Sequence, residues 1–329
     1  MRVPLLRNLQ HHNSFLVNSL HSHAHPAYHC YRFLSTGRSP SLITVRDIPA
    51  PHTGHIRIVS LNSPHNRNAI SRQLLSELSS EITAVKEQVE DEASKGEVVG
   101  HGTRVLTLAS EVDECFCAGA DLKERKRMSR EETNTFLSSL RQTLTTLSSL
   151  PIPTISAVSS IALGGGLELA LATTLRVFAS RAVVGLPETR LGIIPGAGGT
   201  YRLRHLVGEA RALQLILTGR RVSGEEALWM GICERVVETG VGGDEEKRVA
   251  RGRVLDAAIE MAKEICEGGP EAVGAVLRAV RGGSVEAEGR EYEGVLGFED
   301  RDEALKAFGE KRKASFTGRR KGIGQGKGV

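Results

Sequence analysis

An acidic residue, Glu168, lies in one of the most apolar stretches of the 329-residue chain, 161-IALGGGLELALATTLRV-177. The pattern predicts a helix that is apolar on every side and that begins beside three consecutive glycines. Burial among apolar groups raises the pKa of a carboxyl towards values useful for proton transfer. The ordinary alternative is a carboxylate stabilised by the helix N-terminus, which contributes roughly 0.3–1 kcal/mol and needs no apolar setting. Glu168 is therefore a candidate general acid or base.

A second acid, Glu188, lies in the loop-like run 185-GLPETRLGIIPGAGGT-200, which carries two prolines ahead of a glycine-rich turn. If Glu168 and Glu188 faced each other, their repulsion would separate their pKa values, and a water molecule could be held between them. Spacing in the sequence does not decide whether the two carboxylates meet.

Two stretches could present backbone N–H groups to a substrate. The first N–H groups of a helix lack intrahelical partners, and glycine without a Cβ lets a carbonyl oxygen approach them. Gly164–Gly166 offer such a start, and tight helix–strand packing is the alternative. In 116-FCAGADLKER-125 the N–H of Ala120 precedes Asp121, a natural helix N-cap, although an ordinary capped turn would look the same. Two such N–H groups would form an oxyanion hole.

Neither glycine run fits a nucleotide-binding loop. A G-x-G-x-x-G pattern would need glycine where Leu169 and Tyr201 stand, and neither run supplies the Gly-Lys-Ser/Thr of a phosphate loop.

The elements that must position these groups alternate between strands and helices, which favours an α/β architecture. Strands are predicted at 55–62, 103–110, 154–160 and 175–180, and helices at 68–92, 129–150, from the glycine triplet, and from about Thr200. Ser129 and Glu132 form a predicted capping box. Beyond residue 241 the patterns are helical, at 254–267, 270–280 and 302–312. The last nineteen residues carry seven basic side chains and no acid, which predicts a solvated tail.

Charge is distributed unevenly along the chain. Residues 1–46 hold five arginines, six histidines, many serines and no acid, which is typical of an organelle transit peptide. Without those five charges the formal net charge of +4 falls to −1, which gives no general electrostatic surface for nucleic acid. We expect a mitochondrial transit peptide at 1–42, a core at 43–240, a helical C-terminal region at 241–316 and a basic disordered tail at 317–329.

The five cysteines form no C-x-x-C pair and no cluster with zinc-ligand spacing. The longest uncharged run, Gln142 to Leu167, is too rich in Pro, Ser, Thr and Gly for a membrane helix. We therefore expect no metal and no membrane span.

Five segments together resemble the enoyl-CoA hydratase (crotonase) superfamily. They are 62-NSPHNRNAI-70, 116-FCAGADLKE-124, 162-ALGGGLELALA-172, 187-PETRLGIIPGAGGT-200 and 299-EDRDEALKAFGEKRK-313. The resemblance covers about residues 45–316, and its motifs are specific in combination. FCAGADLKER and ALGGGLELALA are most similar to the mitochondrial methylglutaconyl-CoA hydratases of this superfamily.

The resemblance implies a crotonase-type spiral of ββα turns with a C-terminal helical trimerisation region, in a homotrimer or dimer of trimers. It also implies a coenzyme A thioester as substrate, no cofactor, and a place in the mitochondrial matrix. Ala120 and Gly165 match the oxyanion hole, and Glu168 and Glu188 match the two catalytic acids. The matching substrate-binding positions are Ala118 and Lys123 at the coenzyme A site, Gly196 beside the acids, and the C-terminal pair Phe308 and Lys311, which often reaches a neighbouring subunit's coenzyme A.

Family members that only isomerise, hydrolyse thioesters or displace halide generally lack one or both acids. The pair therefore favours hydration of a 2-enoyl-CoA, with 3-methylglutaconyl-CoA of leucine degradation as the expected substrate and Arg190 as a candidate for its distal carboxylate. A general short-chain hydratase of β-oxidation would use the same site. An RNA-binding module is disfavoured because residues 72–92 carry two basic and six acidic side chains.

Two departures from the family pattern concern packing. The family often has an acid where Thr173-Thr174 stands, and Asn-Gly within Ser159–Ile161. We expect both changes to alter packing and to leave the chemistry intact.

Overall fold

The structure is a computed structural model that describes residues 40–96, 98–240 and 243–322. The predicted transit peptide lies outside the described residues except for its last three, and so do residues 323–329 of the predicted tail.

The strands form two sheets, and the middle part of the chain alternates between them. They are β1 Ile43–Pro49, β2 His55–Leu61, β3 Thr103–Ser110, β4 Cys115–Cys117, β5 Thr154–Val158, β6 Ile161–Leu163, β7 Leu175–Ala179, β8 Val183–Gly185, β9 Arg221–Ser223 and β10 Arg235–Val237. The larger sheet has the order β1-β2-β3-β5-β7-β10, and the smaller sheet has the order β4-β6-β8-β9. β1 and β9 pair antiparallel with their neighbours and all other pairs are parallel.

Helices follow the strand pairs and cover the sheets. They are α1 Arg72–Lys95, α2 Leu122–Arg125, α3 Arg130–Ser149, α4 Gly165–Leu171, α5 Gly199–Val207, α6 Glu209–Thr218, α7 Gly224–Met230, α8 Asp244–Cys266, α9 Pro270–Gly282, α10 Val285–Val295 and α11 Glu299–Glu310. Each of the pairs β3-β4, β5-β6 and β7-β8 places one strand in each sheet before the chain enters a helical segment. This arrangement confirms the predicted α/β spiral of ββα turns.

Hydrophobic burial explains the order of these layers. All eight residues of β3 are buried, as expected of a parallel strand covered on both faces. α1 buries the five apolar residues that its sequence places on one face, Leu74, Leu75, Leu78, Ile82 and Val85. Burial of one such side chain stabilises the fold by about 1.5–3 kcal/mol. The predicted capping box is present, since the Ser129 side chain accepts from the Glu132 N–H and the Glu132 side chain accepts from the Ser129 N–H.

Several element boundaries differ from the sequence-based predictions. α1 begins at Arg72 because Ser71 caps it, and Asn68 has a left-handed φ of 55° that no helix allows. Residues 161–163 form β6, so the helix of the opening stretch starts only at Gly165, after Gly164 turns the chain with φ 52° and ψ −124°. No predicted element corresponds to β1, β8, β9, β10, α7 or α10.

The segment after α11 also differs from the prediction of a tail that is solvated from residue 311. Asp300 is buried, and its carboxylate accepts hydrogen bonds from the N–H groups of Thr317 and Gly318. The Lys321 N–H donates to the Gly297 carbonyl, and the Glu299 N–H donates to the Arg319 carbonyl. Backbone pairing with the loop before α11 therefore orders residues 317–322, which the sequence-based prediction placed in a disordered tail.

No helix among the described residues is both long and apolar enough to cross a membrane.

Candidate active site

The two acids lie where neighbouring strands of the small sheet end. β6 leads through Gly164 into α4, which carries Glu168, and β8 leads into the 3-10 turn Glu188–Leu191. The N–H of Gly164 donates to the Gly185 carbonyl at 2.9 Å and joins the two strand ends. A Cβ at Gly164 would lie 3.0 Å from Glu188 Oε1, so the second acid lies against the glycine that precedes the helix of the first. The sheet therefore brings together two acids that are twenty positions apart in the sequence.

Glu168 is held by backbone donors. Its side chain is 3% exposed, and Oε1 accepts from the N–H groups of Ala197 at 2.7 Å and Gly199 at 2.8 Å. Burial raises the pKa of Glu168, while those two N–H groups and the charges of Arg202 and Arg141 oppose the rise. A Cβ at Gly199 would lie 3.1 Å from Oε1, so this glycine is needed for the close approach. The carboxylate is both desolvated and fixed in orientation.

Glu188 is less constrained. Burial, with a further contribution from the charge of Glu168, raises the pKa of Glu188 from 4.5 to about 7. Its Oε2 is buried and has no hydrogen-bond partner among the described residues. The charge of Glu168 is one cause of the raised pKa of Glu188, so ionisation of Glu168 disfavours ionisation of Glu188. Such a pair can take a proton from one atom and give a proton to another.

The N–H of Ala120 points away from its neighbouring chain segment. Ile70 pairs with Ala120 in a parallel bridge, in which the Ile70 N–H donates to the Gly119 carbonyl and the Ile70 carbonyl accepts from the Asp121 N–H. The N–H of the bridged residue faces the opposite side in this geometry. The Asp121 side chain caps α2, as predicted, by accepting from the N–H groups of Lys123 and Glu124.

A second N–H group, that of Gly165, faces the first across a narrow gap. A Cβ at Gly165 would lie 3.7 Å from the Ala120 nitrogen, and a Cβ at Gly119 would lie 3.4 Å from the Gly165 nitrogen. Neither N–H has an acceptor within the described part of the chain. As the first residue of α4, Gly165 also has the favourable dipole of a helix start. The geometry is that of two donors able to bind one oxygen.

The other predicted site residues divide into two groups. Ala118 and Lys123 are exposed and lie on the segment that carries Ala120. Gly196 directly precedes Ala197, whose N–H donates to Glu168, and the Gly196 carbonyl accepts a hydrogen bond from Arg141 Nε at 2.6 Å. Phe308, 86% exposed, lies near the C-terminal end of α11, and Lys311 is the C-cap of that helix.

Arg190 lies in the same 3-10 turn as Glu188, and its side chain is exposed. Its guanidinium donates from Nε and Nη2 to the Thr218 carbonyl, at 3.2 and 2.7 Å. In the described chain this side chain ties the turn to the end of α6.

The Thr173-Thr174 pair has a packing role. The hydroxyl of buried Thr173 donates to the carbonyl of Ala170, near the end of α4. The N–H of Thr154 donates to the Thr174 hydroxyl, and the N–H of Thr174 donates to the Thr154 hydroxyl. Neutral hydroxyls therefore close the end of α4 where the family often has an acid.

Sequence reasoning missed a residue that shapes the first donor. Asn68 is fully buried, its Oδ1 accepts from the Ser63 N–H, and its Nδ2 donates to Ser110 Oγ and to the carbonyls of Cys115 and Phe116. It therefore fixes β4 just before the segment that carries Ala120. An asparagine inside a segment otherwise patterned for helix was the available signal, because asparagine tolerates positive φ.

No group of three or more His, Cys, Asp or Glu residues arranged to hold a metal ion occurs among the described residues. Cys115, Cys117, Cys233 and Cys266 are buried free thiols, and burial raises the pKa of each. These thiols are unreactive core residues.

Comparisons with known proteins agree with this geometry. A family model described as enoyl-CoA hydratase/isomerase matches residues 52–319. An enoyl-CoA isomerase/hydratase of Zymoseptoria tritici is 57% identical over 287 residues, which cover 87% of this chain and 91% of that protein. Methylglutaconyl-CoA hydratase 1, mitochondrial, of Pyricularia oryzae is 50% identical, over 84% of this chain and 87% of that protein.

A solved structure of an enoyl-CoA hydratase from Bacillus anthracis has a TM-score of 0.73 and 39% identity, and the match covers 84% of this chain and all of that one. The fold, the matched length and the sequence identity all support membership of one family. The chain therefore belongs to the enoyl-CoA hydratase/isomerase family, the crotonase superfamily, and is an enoyl-CoA hydratase-like enzyme.

Proposed function

We propose that the protein adds water across the 2,3 double bond of an enoyl-CoA thioester, with 3-methylglutaconyl-CoA as substrate and 3-hydroxy-3-methylglutaryl-CoA as product. One observation carries the proposal: two buried carboxyls with raised pKa lie beside two backbone N–H groups that face one gap. A site built only to move a double bond needs a single base, whereas hydration must deliver both a hydroxyl and a proton.

The N–H groups of Ala120 and Gly165 bind the thioester oxygen. Attack of water at Cβ moves the π electrons towards that oxygen, and the two donors stabilise the enolate that forms. Mutational loss of one such donor typically lowers the rate by about 10²–10³-fold.

The two acids divide the proton transfers. Glu168, whose anionic form accepts two backbone N–H bonds, takes a proton from water as the oxygen bonds to Cβ. Glu188, whose pKa of about 7 leaves about half of the molecules protonated at neutral pH, gives this proton to Cα as the enolate collapses. The net change is addition of one H and one OH. Because both acids lie at the same strand ends, the two groups add to one face of the double bond. Transfer of the proton from Glu168 to Glu188, directly or through solvent, restores the starting state.

The remaining residues supply binding. Ala118 and Lys123 flank the first donor on an exposed segment and line the coenzyme A site, while Gly196 positions water or substrate beside Glu168. Phe308 is 86% exposed, and we assign it with Lys311 to the coenzyme A of a neighbouring subunit in a homotrimer or dimer of trimers. No cofactor takes part. Arg190 stays the candidate cation for a distal carboxylate.

The relatives support the substrate and the compartment. The Pyricularia oryzae protein and a mouse protein 36% identical to this chain are both named mitochondrial methylglutaconyl-CoA hydratases. Together with the Arg-rich, acid-free N-terminus, these names favour import into the mitochondrial matrix.

Incubation of the purified protein with crotonyl-CoA and 3-methylglutaconyl-CoA tests the proposal. We expect loss of the conjugated-enoyl absorbance with both, faster with the branched substrate, and a 3-hydroxyacyl-CoA as product. Glu168→Gln and Glu188→Gln should each lower kcat by about 10²-fold or more, the usual range for a general acid or base. No absorbance change with either substrate, a product with only a shifted double bond, or full activity of Glu168→Gln would each contradict the mechanism.

An RNA-binding role has little support in the structure. The basic side chains of α1 are paired with acids, as Arg72–Glu132, Lys86–Glu90 and Lys95–Asp91.

A further inference from the structure

A cavity lined mainly by charged and polar residues includes Arg202, whose charge also acts on Glu168. Its volume is about 810 Å³, and it lies between the C-terminal end of α3, the end of α4 with the start of β7, the helix α5, and the end of α9. The charged and hydrogen-bonding groups that matter there are Arg176, Arg202, Arg204, His205, Arg281 and Tyr201. None of these residues takes part in the hydration chemistry proposed above.

Positive charge dominates this cavity, which we call the arginine pocket. Four arginines and one histidine line it, against a single acid, Glu209. Two of the arginines are neutralised, since Arg204 pairs with Glu209 at 2.9 Å and Arg176 pairs with Glu234. Arg202 and Arg281 form no ion pair with a carboxylate of the described chain.

Within the described chain, the guanidiniums of Arg202 and Arg281 donate hydrogen bonds only to neutral groups. Arg202 donates from Nη1 to the Ala197 carbonyl and from Nη2 to the Leu144 carbonyl, and Arg281 donates from Nη1 to the Leu150 carbonyl at 2.8 Å. Burial lowers the pKa of both side chains, and for Arg281 burial is the whole cause. The charge of Glu168 offsets part of the cost of this burial at Arg202, whereas no acid offsets it at Arg281. An anion bound by both guanidiniums would relieve the remaining cost of desolvation.

From this cluster we infer that the arginine pocket is a binding site for a small tetrahedral oxyanion of the phosphate class. The guanidinium fork matches two oxygens of such an anion, and guanidiniums on α5 and α9 approach the cavity from different elements. The Tyr201 hydroxyl, on a side chain that is 58% exposed, supplies a further donor at the rim. Thr174, on the cavity wall, contributes no negative charge that would compete with the ligand.

The arginine pocket is in contact with the active site through Arg202. Arg202 Nη1 donates to the Ala197 carbonyl at 2.8 Å, and the Ala197 N–H donates to Glu168 Oε1 at 2.7 Å. An anion on Arg202 therefore lies one residue away from a catalytic acid, in a cavity separate from the oxyanion hole.

Titration calorimetry of the full oligomeric protein with inorganic phosphate tests the inference. Ionic strength is kept constant with chloride, and coenzyme A is kept saturating so that phosphate cannot report on the substrate site. We expect one phosphate per chain. Arg281→Gln should weaken binding by about 10-fold or more, since a charge-assisted hydrogen bond contributes about that much.

Two further variants separate local charge from folding. Thr174→Asp places a carboxylate on the cavity wall and should abolish phosphate binding, whereas Thr174→Asn should retain it. Arg253→Gln, which removes an exposed arginine of α8, is the control for a general loss of charge and should bind like the wild type.

Absence of phosphate binding by the wild type would overturn the inference, as would equal affinity in Arg281→Gln and Arg253→Gln. Phosphate binding that occurs only when coenzyme A is left out would also overturn it, because the anion would then occupy the substrate site. None of these measurements needs hydratase activity, so they are independent of the proposed reaction.

Discussion

Replacement of Gly165 by alanine should separate catalysis from folding. Gly165 is the first residue of α4 and does not have a positive φ, so alanine fits the backbone. Alanine within a helix is favoured over glycine by about 0.5–1 kcal/mol. The added methyl would meet Ile70 Cδ1 at 3.3 Å, the flexible end of a side chain that can move by a few tenths of an ångström. We therefore expect Gly165→Ala to fold and to melt at or above the wild-type temperature.

The same methyl should damage the reaction. Its carbon would lie 3.7 Å from the Ala120 nitrogen, in the gap that the thioester oxygen must enter to lie about 2.7–3.1 Å from both donors. Displacement from one donor costs about 2.7–4 kcal/mol of transition-state stabilisation, or 10²–10³-fold in rate. We expect kcat/KM for crotonyl-CoA hydration, followed by loss of enoyl absorbance, to fall by about 10²-fold or more.

Two other glycines serve as controls for this measurement. Gly252→Ala, in α8, meets nothing within 4 Å and should leave both activity and melting unchanged or slightly improved. Gly166→Ala would put its methyl 2.1 Å from the Cys117 carbonyl oxygen and should lose stability. A folded Gly165→Ala enzyme with more than about a tenth of wild-type activity would refute the assignment of the oxyanion hole. Inactivity accompanied by a lowered melting temperature would point to packing instead.

Three further substitutions test the surroundings of the site. Burial raises the pKa of Glu188 from 4.5 to about 7, so its ionisation destabilises the folded state progressively from pH 4.5 to 7 and fully above that. Glu188→Gln removes this effect, so it should stabilise the protein more at pH 8 than at pH 4.5, by at most about 3 kcal/mol and by less where solvent screens the charge. Equal changes in melting temperature at the two pH values would contradict the raised pKa of Glu188. Asn68→Ala leaves several buried polar groups unpaired, so it should lower the free energy of unfolding in urea by about 2–4 kcal/mol and lower kcat in the folded enzyme. A decrease in unfolding free energy of less than about 1 kcal/mol would show that this hydrogen-bond network is dispensable. If Arg190 binds a distal carboxylate, Arg190→Ala should raise KM for 3-methylglutaconyl-CoA about 10-fold more than KM for crotonyl-CoA. Equal changes in the two KM values would leave Arg190 only the structural role that its hydrogen bonds to the Thr218 carbonyl indicate.

The long elements of the fold could be predicted because their patterns are local. The apolar spacing of α1 and the β-branched and aliphatic residues of β3 identify both elements, and the Ser129–Glu132 pair identifies the start of α3. Strands of three residues, such as β6 and β8, could not be predicted in this way. Their stability comes from pairing with each other rather than from their own residues, and no window of three residues shows a period.

The site residues also divide into those whose environment depends on neighbours in the sequence and those whose environment depends on tertiary contacts. The N-cap at Asp121 and the burial of Glu168 follow from neighbouring residues, so they could be read directly. The approach of Glu188 to Gly164, and of Ala120 to Gly165, depends on which strand ends the sheet brings together. Only the family resemblance connected these pairs before the structure did.

The glycines of the site explain why its chemistry is tied to its backbone. Gly164 makes room for the carboxylate of Glu188, Gly165 leaves the gap between the two donors open, and Gly199 admits the carboxylate of Glu168 to a backbone N–H. A Cβ at Gly164 would lie 3.0 Å from Glu188 Oε1 and one at Gly199 would lie 3.1 Å from Glu168 Oε1, closer than most real contacts of this kind. The helix start at Gly165 fixes one donor at a set offset from Glu168, while the strand pairing sets the positions of the other donor and of Glu188. A substitution at these glycines therefore acts on the reacting groups directly, whereas Asn68 acts on them only by holding β4 in place.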